Sequence, residues 1–225
     1  MTCKLNTIIA ICTICGGFNA SAGAQTVKPG LSDQKNFRLV NREISLSVNE
    51  QAKPVVHLNA KQNDGVAWIK DVNFTTGIIE LDMKGKDIMQ QSFVGLAFHG
   101  IDDSTYDVIY FRPFNFQSAD SNRRKHSIQY VSLPKYDWSL LRENYPGKYE
   151  GELQNAGDAD KWFHAKIIID PGKVVVFVNG QLKPSLTVKP LSINSTGTIG
   201  FWVGNNSDGD FTNLSIQVNA LKGKP

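Results

Sequence analysis

Cysteine is scarce where it would matter. The chain has three in 225 residues, and Cys3, Cys12 and Cys15 all fall within the first fifteen positions. Strong charge of one sign is also missing. Twenty-four Lys+Arg against 21 Asp+Glu leave +3, too little to call for nucleic acid or an anionic membrane as partner. No apolar run reaches the ~20 residues of a membrane-spanning helix. Internal repeats are lacking, which argues against a propeller. There is no G-x-S-x-G, no P-loop and no dinucleotide fingerprint. What the chain has is ordinary globular composition, 41% hydrophobic and 10% aromatic, with many turn formers. Nineteen glycines and nine prolines favour a β-rich fold.

Residues 1–24 read as a secretory signal peptide. Lys4 gives the positive start, Leu5 to Phe18 carry no charge, and Ala22-Gly23-Ala24 has the small-x-small form of a cleavage site. Ile11 before Cys12 and Ile14 before Cys15 stand where lipid attachment would want a small residue. Cleavage leaves 201 residues without cysteine. The expected location is secreted or periplasmic. Such a chain has no disulfide framework and must rely on core burial. Thiol nucleophiles and cysteine-bound zinc are excluded in it.

Residues 25–36 are polar and contain Pro-Gly, and they read as a flexible leader. From Phe37 to the end, 37–225, the pattern is one domain of short strands: Glu43–Val48, Pro54–Asn59, Gly65–Ile69, Gly77–Met83, Ser92–His99, Tyr106–Pro113, Ser127–Leu133, Trp162–Asp170, Lys173–Asn179, Ser185–Val188, Thr198–Val203 and Thr212–Val218. They are rich in Val, Ile, Phe, Tyr and Trp and are separated by turn residues. Asp170-Pro171-Gly172-Lys173 and Asn179-Gly180 predict antiparallel hairpins. The best helical candidate is Tyr136–Glu143, with Asp137 as cap. It lies in a long polar and aromatic insertion between Leu133 and Lys161, of a length that usually serves function or motion. A dozen strands in one unit predict a two-sheet sandwich or a barrel.

Trp162-Phe163-His164-Ala165-Lys166-Ile167-Ile168-Ile169, then Val174–Val178, Asn179-Gly180 and Gly197-Thr198-Ile199-Gly200-Phe201-Trp202, resemble the latter half of concanavalin A-like lectin/glucanase domains. The resemblance runs from about Gly77 to Ile216. It is nearest to the bacterial domain of unknown function 1080, the 3-keto-disaccharide hydrolase group; laminin-G modules and family 16 glycoside hydrolases belong to the same superfamily. It implies an all-β, two-sheet antiparallel jelly-roll sandwich. A saccharide would lie on the concave sheet or its rim loops.

Strand alternation sorts the side chains by face. Ile79, Leu81 and Met83 oppose Glu80 and Asp82. Val94, Leu96 and Phe98 oppose Gly95, Ala97 and His99. Asp107, Ile109 and Phe111 oppose Tyr110 and Arg112. Ile199, Phe201 and Val203 oppose Gly200, Trp202 and Gly204. If these strands share a sheet, Glu80, Asp82, His99, Tyr110, Arg112 and Trp202 converge, and the small residues leave room for a ligand. Aromatic faces suit the C–H surfaces of sugars and charged planar groups suit hydroxyls. An ordinary solvated outer face is the alternative.

Glu80-Leu81-Asp82-Met83-Lys84 is similar to the E-x-D-x-E of family 16 hydrolases, except that Lys84 stands where the acid/base Glu would be. Retaining hydrolysis needs two carboxyls about 5–5.5 Å apart, so this departure favours two plain strand carboxylates. His99 with Asp102 and Asp103 offers an acid/base pair, a metal cluster or, more simply, a turn of solvated charges. Asn205-Asn206-Ser207-Asp208-Gly209-Asp210 is rich in oxygen ligands, so Asp208 and Asp210 are candidates for a structural calcium, although EF-hand spacing is absent. Arg123-Arg124-Lys125-His126 reads as a solvated loop, with an anionic polysaccharide contact as the lesser reading.

The expected function is carbohydrate binding, with Tyr110, Trp138 and Trp202 stacking on sugar rings while Arg112 and neighbouring polar groups fix hydroxyls. One alternative is a glycoside-cleaving enzyme of the 3-keto-disaccharide hydrolase kind, with Glu80, Asp82, His99 or Asp107 as acid/base. Another is a laminin-G-like interaction domain without a sugar site.

Overall fold

The computed structural model of the chain describes residues 25–154 and 156–219. The expected signal peptide, 1–24, lies outside the described residues. Turn chemistry and alternating apolar runs give fifteen strands within the described part: β1 (Gln25–Val27), β2 (Phe37–Val40), β3 (Ile44–Val48), β4 (Pro54–Leu58), β5 (Gly65–Phe74), β6 (Gly77–Lys84), β7 (Val94–Gly100), β8 (Tyr106–Phe111), β9 (Ile128–Leu133), β10 (Glu150–Gly151), β11 (Phe163–Asp170), β12 (Lys173–Val178), β13 (Leu186–Val188), β14 (Gly197–Val203) and β15 (Gly209–Val218). Two short helices, α1 (Ser121–Arg124) and α2 (Trp138–Asn144), interrupt them.

The strands form two antiparallel sheets. One runs β13-β12-β11-β6-β15-β4-β3, with β1 also on β15; the other runs β10-β9-β8-β7-β14-β5-β2. This is the two-sheet jelly-roll sandwich that the sequence leads one to expect. The core lies between the sheets and is aromatic at its centre. Phe201 of β14 stacks on Phe211 of β15 at 4.6 Å between ring centroids. Phe111 of β8 meets Phe163 of β11 at 4.9 Å.

The two sheets treat their outer faces differently. In β6 and β11 every second residue is buried and its neighbours are half-exposed. That is the pattern of a sheet with one wet face. In β7 and β8 every residue is buried, so the middle of the seven-stranded sheet is covered on both sides.

The segment 25–36, expected as a flexible leader, is seated on the sandwich. β1 pairs with β15 from Gln25↔Val218 to Val27↔Ile216, Leu31 is buried in the core, and Asp33 caps a short 3₁₀ turn at Gln34–Asn36. The expected cap at Asp137 is present: its side chain accepts from the Leu140 N–H at 2.8 Å and starts α2. The helix buries Leu141 and adjoins β9.

Candidate functional site

Three expected site residues do converge. Val66, Trp202, Gly95, Tyr110, Gln129 and Glu150 stand in one register row across β5, β14, β7, β8, β9 and β10. Trp202 and Tyr110 sit 5.1 Å apart. Arg112, two residues beyond Tyr110 and just past the end of β8, joins them, its guanidinium carbon 4.8 Å from the Tyr110 ring. Arg112 donates to the Tyr110 hydroxyl at 2.6 Å and to the His126 carbonyl at 2.9 Å, and it also reaches Gln129 Oε1.

This group is a packed layer rather than an open groove. Trp202, Tyr110 and Arg112 are 5%, 4% and 6% exposed, too little for a ring face to receive a sugar. The glycines explain where the space went. A Cβ at Gly100 would come within 2.6 Å of the Trp68 ring, and one at Gly204 within 2.8 Å of Phe93 and 3.1 Å of Trp202. The small residues let large rings lie down on the sheet instead of leaving room for a ligand. Burial pushes the Tyr110 hydroxyl up to about 12 and pulls the Arg112 guanidinium below its ordinary value, against the favourable field of Tyr110.

Glu80 and Asp82 lie elsewhere. They are on β6, in the other sheet, on the face opposite Ile79, Leu81 and Met83, which are buried in the core. The core therefore separates them from Arg112 and Trp202, and the expected common surface does not form. Sharing alternation told which residues are neighbours on a strand, not which strands share a sheet. The two carboxylates belong to a polar network. His164 Nδ1 is 2.7 Å from Asp82 and its Nε2 is 3.7 Å from Glu80. Lys166 lies 3.6 Å from Glu80, and Asn213 donates to Asp82. Burial pushes the Asp82 carboxyl up, but the bonds from His164 and Asn213 outweigh it and hold the carboxyl below its ordinary value. The bond to Asp82 raises His164 against burial.

His99 and Asp107 are inside the sandwich, at 5% and 0% exposure. Asp107 shares the core face with Ile109 and Phe111. His99 has φ +53, which breaks the strand alternation that had placed it outward. Its Nε2 pairs with the Thr75 carbonyl at 2.8 Å, and its Nδ1 is 3.7 Å from Asp107. Neither can reach a polysaccharide. Asp102 accepts from the Ser104 and Thr105 N–H groups at 2.8 and 2.7 Å and so closes a turn. Trp138 is exposed on α2, with Arg142 5.3 Å over its ring; Arg142 in turn pairs with Glu150 at 2.9 Å, at the β10 end of the row of Tyr110 and Trp202.

The expected calcium carboxylates already have cationic partners. Asp208 pairs with Lys86. Asp210 pairs with Lys84 at 2.9 Å and His57 at 2.7 Å. Among the described residues no group of three or more His, Cys, Asp or Glu stands ready for a metal.

One open recess lies among the loops. A recess of about 790 Å³ is lined by Asp87, Pro113, Phe114, Gln117, Ser118, Ala119, Asp120, Arg123, Asp158, Ala159 and Asp160. These residues come from the β6–β7, β8–β9 and β10–β11 connections. Phe114 ties the recess to the aromatic layer through an edge-on contact with Phe93 at 5.5 Å. The basic run braces its wall. Arg123 donates to the Phe114 carbonyl at 3.0 Å. Arg124 donates to the Ser118 carbonyl and to Glu152, each at 2.8 Å. Asp120 caps α1. Four carboxylates, one arginine and four apolar side chains, the larger being Pro113 and Phe114, thus surround one opening.

A smaller recess of about 230 Å³ is lined by His57, Lys84, Gly85, Lys86, Asp160, Asp208, Gly209 and Asp210. Asp160 lines both recesses. Of the lining residues the sequence singled out Arg123, Asp208 and Asp210; the loop residues of the larger recess escaped it because loops carry no face periodicity. The signal present was Asp158-Ala159-Asp160 in the long polar insertion.

No family model matches the chain. No curated protein matches it either. Several solved structures share its fold. The carbohydrate-binding module CBM66 from Bacillus subtilis superposes with a TM-score of 0.57 at 12% identity, covering 80% of this chain and 95% of that one. A Bacillus subtilis protein of unknown function with a galectin-like fold gives 0.53 at 16%, covering 83% and 92%. Domain 4 of AbnA, a GH43 extracellular arabinanase from Geobacillus stearothermophilus, in complex with arabinotriose, gives 0.50 at 16%, covering 85% and 88%. The likeness is one of fold, a two-sheet antiparallel β-sandwich.

Proposed function

We propose that the chain is an exported carbohydrate-binding protein that takes its saccharide in the loop-end recess, not on a sheet face. The observation that carries this is the lining of the 790 Å³ opening. Its volume falls within the ~300–1,000 Å³ usual for ligand sites. Sugars present apolar C–H surface and many hydroxyls. Pro113 and Phe114 offer the apolar wall. Asp87, Asp120, Asp158 and Asp160 offer carboxylate oxygens, each able to accept more than one hydroxyl, and Arg123 offers donors. Two of the fold relatives are described as a carbohydrate-binding module and an arabinotriose complex, which supports a sugar over a protein partner. Export rests on the reading of residues 1–24 and on a remaining sequence without cysteine.

The buried layer of Trp202, Tyr110 and Arg112 keeps a role in this reading. It fixes Phe93, and Phe93 fixes Phe114 at the recess wall. The layer is thus a support and not the contact surface.

The test is a glycan array with the protein from residue 25 onward. Binding to at least one glycan is expected. Asp158→Asn together with Asp160→Asn should weaken it about tenfold or more, because hydrogen bonds to charged acceptors are worth ~1.5–3 kcal/mol each. Glu80→Gln, on β6 and outside the lining of the recess, should bind like the original. Loss of binding in Glu80→Gln with the Asp variants unaffected would move the site to the other sheet. Bound glycan recovered as fragments would replace binding with cleavage.

A further inference from the structure

The two recesses share a wall, and they differ in chemistry. The larger is acidic and partly apolar. The smaller holds two lysines and a histidine among three aspartates. Asp160 stands between them, and two residues later Trp162 is exposed at 37%. A tryptophan this open is uncommon on a surface. Its ring lies 5.3 Å from the Lys84 ammonium, which lines the smaller recess.

We propose that the two recesses form one cleft over Asp160, and that the ligand is an internal segment of a glycan chain rather than a single sugar or a chain end. This rests on the saccharide reading above. The larger recess would hold one stretch of the chain, Asp160 the junction, and the smaller recess with Trp162 the next stretch. The ion pairs of the smaller recess suit this use. Lys86 is 52% exposed and Lys84 34%. Asp208 and Asp210 are only 14% and 21% exposed, so it is the ammonium groups that can turn to hydroxyls, since ion pairs open to water are weak. Trp162 would supply a face for a sugar ring beyond the junction.

The test is an array on which each glycan is presented as monosaccharide, disaccharide and longer oligomers. The expected result is affinity that rises about tenfold from disaccharide to longer oligomers. Trp162→Ala and Lys86→Ala, each confirmed as folded by its melting curve, should lose that rise. Equal binding of short and long forms by the original protein would overturn the cleft and leave the saccharide reading standing. A length gain that survives in both variants would also overturn it. No binding to any glycan would overturn both readings.

Discussion

Each of the four histidines stands beside a carboxylate. His57 is 2.7 Å from Asp210, His126 2.6 Å from Glu150, His164 2.7 Å from Asp82 and His99 3.7 Å from Asp107. The bonds to Asp210 and Asp82 raise His57 and His164 above the ordinary 6.5, against burial. Their contribution to stability is therefore full below about pH 6.5 and is lost as pH rises through the raised values. For Asp82, Glu150 and Asp210 burial pushes up, and the bonds to their cationic partners outweigh it and lower the carboxyls. Their contribution is present above the ordinary carboxylate range and is lost as pH falls through the lowered values. Stability should peak in mildly acid solution. His164→Gln should flatten the fall on the neutral side by less than ~1 kcal/mol, because the pair is partly exposed. Melting temperature against pH checks this; superimposable profiles would refute it. Arg112 gives a larger effect. Arg112→Ala takes the guanidinium donor from the buried Tyr110 hydroxyl and leaves Gln129 Oε1 with the Tyr110 O–H alone, which should cost ~1–3 kcal/mol. Lys cannot reproduce the two-armed contact, so Arg112→Lys should not restore the melting temperature. At this scale alternation read Ile79, Leu81 and Met83 correctly as core. It failed at His99, where a left-handed backbone reversed the side chain.

At the scale of elements, the hairpins were plain in the sequence because their turns are local. Asp170 and Lys173 close β11 onto β12, and Asn179 and Gly180 take φ +50 and +69, a region that Asn and Gly tolerate. Two-residue β10 and four-residue α1 are too short to leave a pattern. The leader was misread because its two anchors, Val27 and Leu31, are isolated in a polar stretch. Whether such a segment docks depends on a distant strand, here β15. Leu31→Ala should lower stability by ~2 kcal/mol or more, as for a buried leucine. A chemical-denaturation midpoint equal to that of the original would show that 25–36 adds nothing. The assignment of β6 to one sheet and β8 to the other was likewise invisible, since sheet membership comes from long-range pairing.

For the whole molecule, the sandwich is held by its double aromatic packing and not by covalent staples. Phe201 on Phe211 and Phe111 on Phe163 join the sheets. Outside the seven-stranded sheet a second layer of Trp68, Tyr106, Tyr110 and Trp202 fills what the resemblance suggested as a groove. The proposed function accordingly places binding at the end of the sandwich. There the 85–93, 112–127 and 152–162 connections meet, held by Arg123, Arg124 and Phe114. The most direct measurement is amide hydrogen exchange with and without saturating amounts of the strongest glycan from the array. Slower exchange in those three connections is the expected result. Unchanged exchange there, with protection at α2 around Trp138 or along β6 and β11, would contradict the account.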